Sequence, residues 1–154
     1  MEPLRDRFGR TIEYLRISVT DRCNLRCLYC MPASGCAWKP QEDILRYEEI
    51  VTIVHQMARL GVKKLRITGG EPLVRRELVS LIAQLVQLPG IEEVALSTNG
   101  MLLERYVEAL KAAGEDEKVI FRAQAPVGPG DALRGVPRAA PRRRQRRPLV
   151  RPGE

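Results

Sequence analysis

The sequence has few of the features that would place it in a membrane or in an oxidising compartment. Its 154 residues contain no apolar run long enough to cross a bilayer. The N-terminal residues Met-Glu-Pro-Leu-Arg-Asp-Arg lack the apolar core of a signal peptide. We therefore expect a cytoplasmic protein with no membrane partner. In such a reducing compartment, clustered cysteines serve metal binding or catalysis more often than disulfides.

Histidine is also scarce, since His55 is the only one in the chain. It lies one residue off the apolar stripe of a predicted helix, which favours a surface position over a ligand. The last of the 4 cysteines is Cys36, and its spacing from Cys30 matches no ligand pattern, so we expect a free loop thiol. The length is that of one ordinary domain and is short for a complete (β/α)8 barrel.

The C-terminal segment 115–154 has almost no large apolar residues after position 123 and carries +5 of the net charge of +7. A short apolar run at 118–122 could form a strand. The remainder, rich in Pro, Gly, Ala and Arg, cannot offset the entropy of ordering, so we expect a disordered basic tail behind a folded part at 1–114. The arginine run at 142–147 could neutralise phosphates, but no aromatic residues interrupt it, and we expect no specific nucleic-acid partner.

Three strand–loop–helix units precede this tail. Alternating apolar and polar residues predict strands at 14–20, 63–68 and 93–97, and helical spacing predicts helices at 48–60, 78–88 and 103–113. This order predicts an α/β fold with a parallel sheet. Each strand has one polar face, whereas strands covered by helices on both faces are apolar throughout. We therefore expect a (β/α)3 portion of a barrel, with the polar faces lining its lumen.

Three cysteines lie close together directly after the first predicted strand. They are Cys23, Cys27 and Cys30, spaced C-x3-C-x2-C. A disulfide would leave one of them unpaired, and a structural zinc site usually takes four ligands. An iron–sulfur cubane held by three cysteines would leave one iron open to a small molecule. The spacing favours the cluster and leaves zinc and a disulfide open.

Other candidate residues follow the same ends of the strands. Tyr29 would lie beside an open iron or would pack as a loop aromatic. Residues 69–72, Gly-Gly-Glu-Pro, end the second strand, and their glycines would let the backbone approach a ligand closely. The carboxylate of Glu71 could fix a cationic group. A tight turn closed by the proline fits the same four residues.

The polar strand faces carry Arg16, Arg66 and Ser97, which we expect to point into the lumen. Burying a guanidinium without a partner is costly. Either protein carboxylates or an anionic ligand must therefore face the two arginines. Arginine grips carboxylate and phosphate groups in a bidentate manner, so both a structural ion pair and an anion site remain open.

The cysteine spacing with Tyr29, and the stretch 69–72, resemble the signature and the cofactor-binding motif of the radical S-adenosylmethionine (SAM) superfamily. More narrowly, the stretches 16–32, 66–75 and 96–100 are similar to the GTP 3',8-cyclase family of molybdenum cofactor biosynthesis. This resemblance covers about residues 5–114. Another radical SAM enzyme is the nearest alternative.

The resemblance implies a radical SAM lyase built on a partial TIM barrel, with a [4Fe–4S] cluster on the three cysteines and SAM on the open iron. One electron from a reductant would cleave SAM, and the resulting radical would abstract a ribose hydrogen from GTP, whose carbon radical attacks C8. It also implies a homodimer. The implied SAM contacts are Tyr29, Gly70 and, more weakly, Glu71, and the implied GTP contacts are Arg16, Arg66 and Ser97.

The resemblance ends at Gly114. Members of the family continue with a strand that ends in Ser-Leu-Asp and carry a second cysteine triad, and neither follows here. The composition beyond this point is typical of GC-rich DNA read out of frame, which predicts a frameshift and an impaired enzyme. The prediction is wrong if neither alternative frame of the coding DNA restores Ser-Leu-Asp shortly after codon 114.

Overall fold

The structure, a computed structural model, describes residues 2–27, 30 and 37–114, and the backbone of 119–123. Tyr29, Cys36 and most of the predicted tail lie outside the described residues, so what the sequence predicts for them stays a prediction. Within the described part, no helix is both long and apolar enough to span a bilayer.

The described residues form a sheet of four parallel strands in the order β1-β2-β3-β4. The strands are β1 (Tyr14–Ser18), β2 (Lys64–Thr68), β3 (Glu93–Thr98) and β4 (Val119–Ala123). Helices α1 (Tyr47–Arg59), α2 (Leu78–Val86) and α3 (Leu103–Ala113) connect them, with short 3₁₀ turns at Gln41–Asp43 and Pro72–Val74. A sheet whose spatial order follows the chain is typical of barrel-like winding, whereas doubly wound sheets reverse their order. The predicted α/β fold is confirmed.

The fourth strand lies beyond the predicted boundary at residue 114. It forms from the short apolar run after the acidic patch and pairs with β3 from Val119 to Ala123. This strand agrees with the sequence analysis, in which the apolar run at 118–122 could form one.

The apolar strand face and the helices form one core. Leu65 and Ile67 of β2 and Val94 and Leu96 of β3 are buried, as the alternation predicts. They pack against apolar residues of all three helices, among them Ile50, Val54, Leu81, Ile82, Leu85 and Leu110. Each such side chain contributes about 1.5–3 kcal/mol when fully buried. This core fixes the helices against the apolar strand face, opposite the face that carries the polar residues.

The ends of the helices agree with the sequence except at one glycine. Gly61 follows α1 with a φ of 99°, the left-handed conformation that ends a helix. Gly114 follows α3, but its φ is −101°. Its amide donates to the carbonyls of Leu110 and Lys111 at 3.2 Å, so the last turn of α3 ends without a left-handed residue.

The N-terminal arm is more ordered than its composition suggests. Arg5 and Thr11 form an antiparallel bridge around a turn at Asp6, whose carboxylate accepts from the Arg10 Nε at 2.7 Å. This side-chain hydrogen bond is the main reason that the pKa of Asp6 lies below its usual value. The Leu4 amide donates to the Leu60 carbonyl at 2.9 Å, which attaches the arm to the end of α1.

Candidate functional site

The cysteine loop leaves the carboxyl end of β1, where parallel α/β folds carry their binding sites. Cys23 and Cys27 are half-buried, Cys30 is exposed, and all three are free thiols. The Asp21 Oδ2 accepts from the Lys39 amide at 2.6 Å, which ties the start of the loop to its end. The contact places Asp21, two residues before Cys23, against Lys39, and the three predicted ligands lie between these two residues in the sequence.

The donor set, three free thiols, is of the kind that an iron–sulfur cluster takes. Among the described residues, no three histidine, cysteine, aspartate or glutamate side chains converge on one metal position. In a cubane each cysteine binds a different iron, so its sulfurs need not meet at a point. The three thiols therefore fit a cluster by their chemistry, and in the described residues they do not form a preassembled metal position.

The glycines at the end of β2 bring this strand against the cysteine loop. The Gly70 amide donates to the Thr20 carbonyl at 2.8 Å, and the Glu71 amide donates to the Arg22 carbonyl at 2.9 Å. A Cβ atom on Gly70 would collide with the Arg22 carbonyl oxygen, and one on Gly69 would come within 2.5 Å of the Thr20 oxygen. Neither a ligand contact nor an isolated tight turn is needed to explain these glycines, because close packing of two backbones already requires them.

We expect the substitution Gly70→Ala to displace the cysteine loop. The added methyl group would meet the backbone of residues 21 and 22, which cannot rotate away as a side chain could. We therefore expect the free energy of unfolding, measured in urea, to fall by about 1–3 kcal/mol. The loop thiols should also react faster with a thiol reagent. Gly9→Ala is the control, because its positive φ of 78° also strains an alanine but the residue lies in the N-terminal arm, so it should lower stability without changing thiol reactivity. Equal thiol reactivity in Gly70→Ala and the wild type would contradict the expected displacement.

Glu71 joins the ends of two strands. Its side chain is 0% exposed. Its Oε1 accepts from the Leu73 amide at 3.0 Å and from the Thr98 hydroxyl at 2.7 Å, and its Oε2 accepts from the Asn99 amide at 2.7 Å. The sequence suggested a carboxylate that holds a cation, whereas the structure shows one that holds three protein donors. Its contact with SAM stays a prediction.

Asn99 is the residue of this edge that sequence reasoning missed, because Asn-Gly predicts only a turn. Its Nδ2 lies 2.9 Å from the Asn24 Oδ1 and 3.9 Å from the Cys23 Sγ. The available signal was its position: Asn99 directly follows β3, at the same edge of the sheet as the cysteines. Residues at the carboxyl end of each parallel strand meet there.

The predicted anion-binding residues share the polar face of the sheet. Arg16 and Arg66 are direct neighbours in the register of β1 and β2, and Arg66 pairs with Ala95, two residues before the buried Ser97. The Arg16 Nη2 lies 3.4 Å from the Thr68 hydroxyl, and the Arg66 Nε is buried without a hydrogen-bond partner. In the described part of the chain neither guanidinium forms an ion pair, so the alternative of a structural ion pair finds no support there.

A second cationic region borders the start of the cysteine loop. A cavity of about 490 Å³ opens between the end of β1, the segment before α1 and the turn after β2. Its lining includes Arg22, Lys39, Arg46, Arg75 and Arg76, against the carboxylates of Asp21 and Glu77. This charge makes the cavity a rival position for an anion.

One of the cavity arginines is already held by the fold. The Arg75 guanidinium donates to the Val19 and Leu45 carbonyls at 2.6 and 2.7 Å and stacks over the Tyr47 ring at 4.1 Å. The Tyr47 hydroxyl donates to the Arg76 carbonyl at 2.8 Å, and burial raises the pKa of Tyr47 to about 12. Arg75 therefore fixes the entry to the cysteine loop and is a weaker candidate for ligand binding.

The chain resembles known proteins in both sequence and fold. The family model described as "Radical SAM superfamily" matches residues 17–126. A GTP 3',8-cyclase from Petrotoga mobilis is 57% identical over 109 residues, which are 71% of this chain and 34% of that protein. Those from Listeria monocytogenes and Moorella thermoacetica are 51% and 53% identical over 114 and 111 residues, which are 74% and 72% of this chain and 34% of each relative. The chain thus spans about a third of the length of these relatives.

Two solved structures share the fold at low sequence identity. BtrN in complex with AdoMet and 2-DOIA has a TM-score of 0.54 at 19% identity, covering 77% of this chain and 48% of BtrN. Streptococcus suis SuiB bound to the precursor peptide SuiA has a TM-score of 0.52 at 20% identity, covering 71% of this chain and 23% of SuiB. At this level of identity the similarity shows the architecture alone.

Proposed function

This chain belongs to the radical SAM superfamily, and we propose that it corresponds to the N-terminal part of a GTP 3',8-cyclase. That enzyme converts GTP to (8S)-3',8-cyclo-7,8-dihydroguanosine 5'-triphosphate in molybdenum cofactor biosynthesis. The relatives named above support the assignment. The observation that carries it is the shared sheet edge. The backbone at the start of the cysteine loop is hydrogen-bonded to Gly70 and Glu71 after β2, and the same sheet carries two arginines without carboxylate partners in the described residues.

The cysteine loop is the proposed cofactor site. Cys23, Cys27 and Cys30 would hold a [4Fe–4S] cluster, and Tyr29, Gly70 and Glu71 would contact SAM. When bound, these groups supply one-electron cleavage of SAM and hydrogen abstraction from a ribose. The described residues support this role by geometry: the Asp21–Lys39 contact closes the loop, and the paired backbones of residues 20–22 and 70–71 fix its start.

The polar face of the sheet is the proposed GTP site. A triphosphate would neutralise the neighbouring guanidinium groups of Arg16 and Arg66 and offer an acceptor to the buried Arg66 Nε. The buried Ser97 hydroxyl can donate to or accept from the nucleotide. These side chains would orient GTP, while the cofactors supply the reactive electron.

The proposed enzyme also needs partners and a compartment. It requires a one-electron reductant for the cluster, and the family resemblance suggests a homodimer. We place it in the cytoplasm, where free clustered thiols persist.

Anaerobic reconstitution with iron and sulfide tests the function. We expect a cubane EPR signal from the reduced protein, and we expect SAM to change that signal. A cluster that ignores SAM would contradict the radical SAM chemistry. A cluster that responds to SAM in a protein that does not bind GTP would favour another radical SAM reaction. Metal analysis of the protein as purified would reveal a zinc site.

A further inference from the structure

We propose that the Asn99 side-chain amide donates a hydrogen bond to the Cys23 sulfur and thereby raises the reduction potential of the cluster. The inference rests on the proposed function, since it concerns a cluster ligand. Asn99 would then be a positioning residue that acts on the reduction potential of the cluster through Cys23. The Nδ2 to Sγ distance of 3.9 Å is within the range of a hydrogen bond to sulfur.

The orientation of the Asn99 amide follows from its neighbours. Its Oδ1 accepts from the Met101 backbone amide at 3.0 Å, and a backbone N–H can only donate. The Nδ2 must therefore be the atom that faces the Asn24 Oδ1 and the Cys23 Sγ. A flipped amide would place two donors together and would lose both contacts.

The backbone of Asn99 is fixed as firmly as its side chain. Its amide donates to the Glu71 Oε2 at 2.7 Å, and the same carboxylate holds the Thr98 hydroxyl. Glu71 is buried and belongs to the segment that packs on the cysteine loop. One buried carboxylate thus sets the distance between Asn99 and Cys23, so the donor is held in place before any metal arrives.

The Cys23 sulfur has two hydrogen-bond donors among the described residues. The Cys23 sulfur accepts from the Leu25 amide at 3.4 Å as well as from Asn99. Within the described ranges, no donor reaches the sulfur of Cys27 or Cys30. Hydrogen bonds to ligand sulfurs are one of the factors that set the potential of an iron–sulfur cluster. Because the reduced cluster carries one more negative charge, donors stabilise it more than the oxidised form.

The test is a redox titration of reconstituted wild type, Asn99→Asp, Asn99→Ala and Thr98→Val, followed by EPR. Asn99→Asp keeps the acceptor for Met101 and replaces the donor by a negative oxygen. A hydrogen bond to a charged group contributes about 1.5 kcal/mol or more, so we expect up to a roughly tenfold lower ratio of reduced to oxidised cluster at a given potential in Asn99→Ala. We expect a larger fall in Asn99→Asp, because its carboxylate also places a negative charge beside the cluster. Tenfold corresponds to a potential about 59 mV more negative for a one-electron couple.

Thr98→Val is the matched control, because it removes a hydroxyl from the same Glu71 network and leaves the Asn99 amide. We expect its potential to equal that of the wild type. Equal shifts in Thr98→Val and the Asn99 variants would overturn the inference, because the cause would then be loosening of the turn. Asn99 variants that hold no cluster while Thr98→Val does would also overturn it, since the amide would then serve ligation.

The outcomes separate this inference from the proposed function. A SAM-responsive cluster whose potential does not change in the Asn99 variants overturns the inference and leaves the function. A cluster that ignores SAM but shifts its potential as expected supports the inference and overturns the function. A wild type that binds no cluster overturns both.

Discussion

Replacing Cys23, Cys27 or Cys30 with alanine is expected to remove the cluster from the protein. Each substitution leaves two thiolates in the loop, which opens a second iron to solvent and to loss. We expect iron and acid-labile sulfide to fall to background after anaerobic reconstitution, and the EPR signal to vanish. The fold should survive, because none of the three side chains belongs to the apolar core.

Cys36→Ala is the matched control for these variants. It removes the fourth cysteine of the chain, which the spacing marks as a free thiol. We expect it to bind iron and sulfide as the wild type does. Loss of the cluster in Cys36→Ala, together with retention in one of the other three variants, would show that the ligand set has been assigned wrongly.

Arg66→Ala and Arg16→Ala are expected to weaken GTP binding by roughly 10- to 150-fold each. A hydrogen bond to a charged group contributes about 1.5–3 kcal/mol, which sets this range. Arg66 should show the larger effect, since its Nε is buried without a partner while Arg16 is exposed. Arg66→Lys keeps the charge but loses the bidentate hydrogen bonding of arginine. Its affinity for GTP should therefore lie between those of the wild type and Arg66→Ala. Equilibrium binding of GTP measures all of these effects.

Two further arginine variants locate the nucleotide. Arg59→Ala changes an exposed residue at the end of α1, far from the strand ends, and should leave GTP affinity unchanged. Arg46→Ala changes the exposed cation at the rival cavity. A large loss in Arg46→Ala with none in Arg66→Ala would place GTP in that cavity and would contradict the assignment to the polar face.

The fold was predictable because its signal is local. The alternation in Leu65, Arg66 and Ile67 indicates which side chains face the helices. Leu65 and Ile67 are buried and Arg66 is half-buried, as this pattern predicts. The end of each strand could be located to within a few residues for the same reason. Since parallel strands share their direction, the position of the cysteine loop beside residues 69–72 followed from the order of the elements.

The contacts within the site were not predictable, because they join distant residues through polar groups with several possible partners. The carboxylate of Glu71 could have bound a cation, and only the folded chain shows that it accepts hydrogen bonds from Thr98 and Asn99. Gly70 needs no ligand to explain it once the Arg22 carbonyl is seen to lie against it. These contacts depend on how the loops pack, and no periodic pattern in the sequence predicts them.

The contact between Asn99 and Cys23 spans 76 positions of the chain. A protein is made from its N-terminus, so the three thiols emerge well before the residues that support them. Until β3 pairs with β2, the cysteine loop lacks its hydrogen-bond donor from Asn99, and pairing of distant strands is among the slower steps of folding. Thiolates are vulnerable to oxidation during that interval. Expression under low oxygen should therefore raise the fraction of protein in which Cys23 stays reduced.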